Sequence, residues 1–350
     1  KALCSKNLPS VTIKKPTEHF NTVLYTGNNS TNHDISGVGF QSGLTWIKNR
    51  SQADSHVLHD AVRGVGNVVY SDLDLAENNN AAYFGPFQTD GFRLSPTSVG
   101  HAYNASSENY VAWNWKAGGS GSANTDGTIS STVSANTTSG FSIVTYAGTG
   151  SNATVGHGLG VAPSVILVKN RSTDDNWRVY SRNDPTDYLA LNWNGSSTDD
   201  NTAWNDTAPT SSVFTIGTDT NTNRSGDDFV AYCFAEVEGF SKFGTYTGNG
   251  NDNGPYVYTN FSSAFLIIKR TDTTFSWYIY DVKRGTVNPI DELVWADGNW
   301  AESSSTEYSL DILSNGFKLR DDGSNSNNVN TGTFFYMAFA STPFKTSNGR

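Results

Sequence analysis

Along the chain, short runs of apolar and aromatic residues alternate with stretches of Asn, Ser, Thr, Asp and Gly. Runs this short, bounded by turn residues and rich in Val, Ile, Phe, Tyr and Trp, predict β-strands. Three of them lead into a glycine turn: Val23-Leu24-Tyr25-Thr26-Gly27-Asn28, Ile143-Val144-Thr145-Tyr146-Ala147-Gly148 and Phe243-Gly244-Thr245-Tyr246-Thr247-Gly248. Each is followed by a second strand ending in lysine: Leu44-Thr45-Trp46-Ile47-Lys48, Val165-Ile166-Leu167-Val168-Lys169 and Phe265-Leu266-Ile267-Ile268-Lys269. The interval from tyrosine to lysine is 23 in all three, Tyr25 to Lys48, Tyr146 to Lys169 and Tyr246 to Lys269. A register held that closely predicts an internal repeat.

The pattern continues through each unit. A basic residue follows the next strand near a turn, as in Asp60-Ala61-Val62-Arg63-Gly64 and Asp281-Val282-Lys283-Arg284-Gly285, with Val179-Tyr180-Ser181-Arg182 as the weaker middle copy. A strand entered by Asp90-Gly91 or Asn315-Gly316 comes next; these pairs suit a tight hairpin turn and the middle copy lacks them. Each unit closes on an aromatic strand: Tyr110–Trp115, Phe229–Phe234 and Phe334–Phe339. These closing strands are apolar on both faces, which predicts positions in the middle of a sandwich. The expected fold is all-β, three tandem β-sandwiches of jelly-roll or lectin-like type, each about 100 residues. The boundaries read as a docking segment at 1–19, a first sandwich at 20–117, a linker and second sandwich at 118–238, and a third at 239–345. Gly118-Gly119-Ser120-Gly121-Ser122 has the composition of a flexible hinge, so a rigid pair of units two and three with a looser first unit is expected.

Composition sharpens this picture. The 350 residues are only 16% charged but 13% aromatic, which excludes helical bundles and argues against disorder. A formal net charge of −10 disfavours nucleic acid and anionic membrane surfaces as partners. No apolar run approaches the ~20 residues that a membrane-spanning helix needs, and Lys1–Lys6 lacks the apolar stretch of a signal peptide. Cys4 and Cys233 sit in unlike contexts and read as two free thiols, Cys233 as a small core hydrophobe.

Candidate chemistry is sparse. His56 and His59 lie in a segment with no helical pattern and read as part of a polar loop; Asp219-Thr220-Asn221-Thr222-Asn223 imitates the start of a calcium loop but lacks its glycine and its final glutamate. Asp60 with Glu77, or Asp281 with Glu302, would be the acid pairs of a glycosidase only if they converged with one pKa raised, and they read as solvated groups. No catalytic, metal or cofactor site is expected. Lys48-Asn49-Arg50, Lys169-Asn170-Arg171 and Lys269-Arg270 read as charges that end a strand and guard its edge, with an interface as the alternative. Most of Trp177, Trp193, Trp204, Trp277, Trp295 and Trp300 are expected in cores or interfaces, while tryptophans beside Asn and Asp can also form sugar platforms; Trp177, Trp277, Trp295 and Trp300 are the glycan-binding candidates.

With the repeat laid out, the chain resembles a family of virion proteins of marine bacteriophages, cyanophages among them. The carriers are the Tyr-Thr-Gly-Asn starts at Tyr25 and Tyr246, Gly37-Val38-Gly39-Phe40 before Trp46-Ile47-Lys48-Asn49-Arg50, Thr154–Gly160 before Val168-Lys169-Asn170-Arg171, and Tyr232-Cys233-Phe234-Ala235 leading to Gly239–Gly244. The resemblance implies a non-enzymatic structural protein made in the host cytoplasm and carried on the virion surface: a fibre, spike or decoration of tail or head. Residues 1–19 would dock on other virion proteins, and homo-oligomers, a trimer above all, are expected. It transfers no catalytic residue. A lectin-like adhesin binding host-cell glycan is the alternative, with a polysaccharide depolymerase behind it. The middle copy departs from the pattern, so its equivalent surface is expected to behave differently.

Overall fold

The computed structural model describes residues 11–323 and 327–346, and among these the protein is all-β. Three large antiparallel sheets share one strand order. In the first unit it runs Phe20–Thr26, Asn109–Trp115, Leu44–Asn49, Val57–Asp60. In the second it runs Phe141–Ala147, Asp228–Phe234, Val165–Asn170, Arg178–Ser181, with further strands added at both edges. In the third it runs Ser241–Thr247, Thr333–Pro343, Phe261–Arg270, Trp277–Asp281, extended at one edge. Register recurs with it: Leu44 pairs Trp115 and Asp60, Val165 pairs Phe234 and Ser181, and Phe265 pairs Phe339 and Asp281. A small sheet of two or three strands covers one face of each large sheet.

The closing strands are buried on both faces for a reason beyond the sandwich. One face packs under the small sheet and forms an interior private to each unit. The opposite faces of all three large sheets meet in one common core that includes Trp46, Trp113, Trp115, Trp177 and Trp277. At its centre Trp115, Phe234 and Phe339, which hold the same register position in the three sheets, form a triangle with ring centroids 6.2, 5.7 and 5.8 Å apart. The units are therefore arranged about a pseudo-threefold axis.

This arrangement corrects two expectations. The first unit is not a loose one, since Phe20, Trp46, Trp113 and Trp115 lie in the common core. Nor is 118–122 a free hinge, because the backbone at Gly118 abuts Ala135 and Ser122–Asn124 pairs with Ser131–Asn136. Residues 1–10 of the expected docking segment, Cys4 included, lie outside the described residues. The rest of that segment packs on its own chain, with Ile13 in the common core and Pro16–Glu18 forming one 3-10 turn.

The Tyr-x-Gly starts have a local cause. Tyr25, Tyr146 and Tyr246 stack on Tyr110, Phe229 and Phe334 at 4.9, 5.2 and 5.0 Å. Each donates its hydroxyl to a backbone carbonyl, that of Tyr103, Thr222 or Asn327. Two residues later the chain passes so near a second loop that a Cβ on Gly27, Gly148 or Gly248 would lie 2.0, 2.3 or 2.2 Å from the carbonyl oxygen of Ala105, Arg224 or Val329. A buried asparagine fastens each crossing: Asn104, Asn223 and Asn328 accept the backbone N–H of Asn28, Thr149 and Asn249.

Candidate functional site: the three joints between units

The charged residues that recur along the chain gather where one unit meets the next. Asp60 ends its strand with a carboxylate buried in the joint between units one and two, accepting the backbone N–H groups of Val62 and Arg63. Its other oxygen pairs with the Arg63 guanidinium and accepts the Tyr232 hydroxyl of unit two at 2.8 Å. Arg63 also donates to Glu77 at 2.8 Å, and Glu77 receives a two-pronged contact from Arg171 of unit two at 2.9 and 2.7 Å. Burial alone would raise the pKa of Asp60, but the charge and hydrogen bonds of Arg63, with the Tyr232 hydroxyl, hold it below the usual carboxylate range. Glu77 is likewise lowered: Arg171 and Arg63 outweigh its burial.

The joint between units three and one repeats this plan. Asp281 accepts from Lys283, Arg284 and, at 3.0 Å, the Trp113 indole of unit one. Arg284 donates to Glu302 at 3.0 Å, and Glu302 takes Arg50 of unit one at 2.9 and 2.6 Å. Planar guanidinium groups meeting carboxylates in two-pronged fashion are the strongest polar contacts available to a protein. Each carboxylate pair thus converges, on one arginine. They are not the solvated groups expected from the sequence, because the strand end that carries Asp60 or Asp281 is covered by the neighbouring unit.

The lysines are also misjudged from sequence. Lys48, Lys169 and Lys269 are fully buried rather than edge guards. Lys48 donates to the carbonyls of Asn49 and Gln52, Lys169 to those of Asn170 and Asp74, and Lys269 to those of Asn194 and Phe275. Asp74 belongs to unit one and Asn194 to unit two, so two of the three lysines reach across a joint. Burial pushes each of the three down to about 8.

Of the sugar-platform candidates, Trp177 and Trp277 are buried and donate their indole N–H across joints, to Tyr70 and Ala190 carbonyls at 2.7 and 2.8 Å. A ring enclosed on both faces cannot stack on a sugar, which removes these two. Trp295 and Trp300 meet edge to face at 5.4 Å, and Trp300 is 53% exposed. Trp193 is exposed to the same extent and Trp204 is buried.

The remaining candidates are structural. His59 lies on a buried strand, stacked on Phe84 at 4.0 Å, bonded to Val65 and Tyr103 and pushed down to about 3 by burial; His56 beside it accepts the Trp46 indole. His59 is thus a strand residue, and His56, the last residue before that strand, is fully buried instead of solvated. Asp219 caps the short helix Thr220–Asn223 and pairs with Arg178, so the calcium-like stretch is not a solvated loop. Cys233 is buried, with its thiol pushed up by burial. Among the described residues one group could offer three metal ligands, Asp54, His101 and Glu108. In the second unit the corresponding acids, Asp175 and Asp227, are bridged by Arg224. No helix among the described residues is long and apolar enough to cross a membrane.

Fold and joints together define the class: an all-β chain whose three large sheets close on one core, with buried ion networks at two of the three joints. The chain belongs to a family described as a domain of unknown function (DUF7483), which it matches over residues 15–343. No curated protein and no solved structure matches it.

Proposed function

We propose that the protein is a non-enzymatic structural component of a bacteriophage virion, an appendage of tail or head exposed on the particle and assembled there as a homo-oligomer. The observation that carries this reading is the use made of the charged groups. The two most elaborate clusters, around Arg63 and Arg284, hold their acids between arginines inside unit joints, with Asp60 and Glu77 kept below the usual range. An acid–base pair needs one carboxyl raised and open to a substrate. A chain that fastens its own units in this way suits a load-carrying block, and the resemblance to phage virion proteins points the same way. Labelling of purified phage particles with antibody raised against this chain, read by electron microscopy, tests it. Discrete labelling on head or tail is expected; a chain found in infected cells but missing from purified particles would overturn the proposal.

Host adhesion through glycan is a second reading, favoured by the Trp295–Trp300 pair. It expects binding on an array of host polysaccharides that Trp300→Ala abolishes.

A further inference from the structure

The third joint, between units two and three, keeps the buried lysine, Lys269 donating to the Asn194 carbonyl as Lys169 does to that of Asp74, but departs from the plan of the other two at every arginine and carboxylate position. The backbone plan itself is intact: Glu77 donates its N–H to Arg171, Glu302 to Arg50 and Ser197 to Thr271, at 2.9, 2.9 and 2.8 Å. Ser197 thus stands where the other joints place a glutamate, and Thr271 where they place an arginine. Ser181 holds the register position of Asp60 and Asp281, and Met337 that of the donors Tyr232 and Trp113. Three residues after Ser181, where the other units carry Arg63 and Arg284, comes Asp184, and the chain there turns back as a hairpin with Ser181 paired to Asp184. Neither arginine of the plan is present, nor is either of the two carboxylates that hold them in the other joints.

What remains is a cavity of about 160 Å³ lined by Ser181, Asp184, Ser197 and Thr271 together. Val179, Leu189 and Phe335 give it an apolar floor, and Asp187 adds a second carboxylate to its rim. None of its lining residues is basic, and among the described residues no ion pair engages Asp184, Asp187 or the nearby Asp199. Burial and then the negative charges of Asp187 and Asp199 raise the pKa of Asp184, as expected of carboxyls with no cation among them.

We propose that this cavity binds an alkyl-guanidinium group, the arginine side chain of a partner protein. Three observations select that class. The same location in the other two joints is filled by a guanidinium of the chain itself, held by carboxylates. An apolar floor under a carboxylate rim fits an aliphatic stem with a planar cation at its tip, whereas a hydrated metal ion has no use for Val179, Leu189 and Phe335. The volume is near the ~150 Å³ that encloses one benzene-sized guest and below the roughly 300–1,000 Å³ of drug-sized sites, so it admits one side chain and not an oligosaccharide.

Isothermal titration of the full chain with N-acetyl-arginine amide, N-acetyl-lysine amide and calcium chloride at matched ionic strength tests the proposal. Saturable binding of the arginine probe is expected, tighter than that of the lysine probe. The Asp184→Asn, Asp187→Asn double variant should weaken it by at least about tenfold, the effect of roughly 1.4 kcal/mol. Thr271→Arg should place the chain's own guanidinium in the cavity, raise the melting temperature and abolish binding of the probe. No saturable binding to the wild-type chain, an unchanged affinity in the double variant, or tighter binding of calcium than of arginine would each overturn it. A Thr271→Arg chain that still binds the probe at wild-type affinity would do the same.

Discussion

Trp113 donates its indole N–H to Asp281 at 3.0 Å, joining the first unit to the third across 168 residues of chain. The acceptor is the oxygen that also pairs with Arg284, and the Arg284 guanidinium lies 5.6 Å from the centre of the Trp113 ring. One carboxylate thus orients a cation in its own unit and anchors an aromatic side chain of another. Tyr232 and Asp60 stand in the same relation between the second unit and the first.

Removing one member of such a buried set leaves an unpaired charge. Asp281→Ala should therefore cost about 3–5 kcal/mol, while a double Asp281→Leu, Arg284→Met chain should be much closer to wild type. Urea unfolding of the three proteins measures both. Equal losses in the single and the double variant would show that the pair is not the source of the effect.

Gly27, Gly148 and Gly248 have no room for a Cβ, and the obstacle in each case is a backbone carbonyl rather than a movable side chain. Alanine at any of them should separate the two crossing loops and destabilise by about 1–3 kcal/mol, with loss of the asparagine contact beneath. Thermal melts of the three single variants, expected to show drops of similar size, provide the check.

Stability should rise with pH just above 8. Lys48, Lys169 and Lys269 are lowered from 10.5 to about 8 in the folded chain, so between these values the unfolded chain binds more protons and deprotonation favours folding. The slope is on the order of 1.4 kcal/mol per pH unit for each lysine at its steepest. Cys233 opposes this above about 9, and the tyrosines held above 10, among them Tyr25, Tyr146 and Tyr246, reverse it at higher pH. Denaturant midpoints measured from pH 7.5 to 10.5 should pass through a maximum between 9 and 10; a steady fall from pH 8 would contradict the lysine assignment.

Tryptophans of one residue type should divide sharply by place. Trp177→Ala and Trp277→Ala each open a cavity at a joint and free a buried carbonyl, at a cost of about 3–5 kcal/mol. Trp300→Ala, at a half-exposed position, should change stability by less than about 1 kcal/mol. Guanidinium unfolding followed by circular dichroism distinguishes the two groups.

The strands were legible because short apolar runs and turn residues carry their own signal, and the all-β class follows from them. Doubly apolar closing strands such as Tyr110–Trp115 are visible too, but nothing local in them distinguishes a small covering sheet from the sheet of another unit. Burial of Lys48 was hidden for the same reason: its carbonyl partners come from a loop, and its cover from packing. The recurrent Asp-x-x-Arg of Asp60–Arg63 and Asp281–Arg284 stands out, whereas the partners of the two acids, Tyr232 and Trp113, lie 172 and 168 positions away. One signal did exist. The middle unit loses the aspartate and the arginine together, while the third loses the arginine that Arg50 and Arg171 represent, and joint loss of partners marks residues that touch.

The ring triangle of Trp115, Phe234 and Phe339 ties the mutational histories of distant segments together. Space on the axis is held in common, so a bulkier ring at one corner has to be met by a slimmer one at another. One indole with two phenyls is a single solution to that constraint, and drift at the axis must proceed in concert, however freely the outer loops diverge.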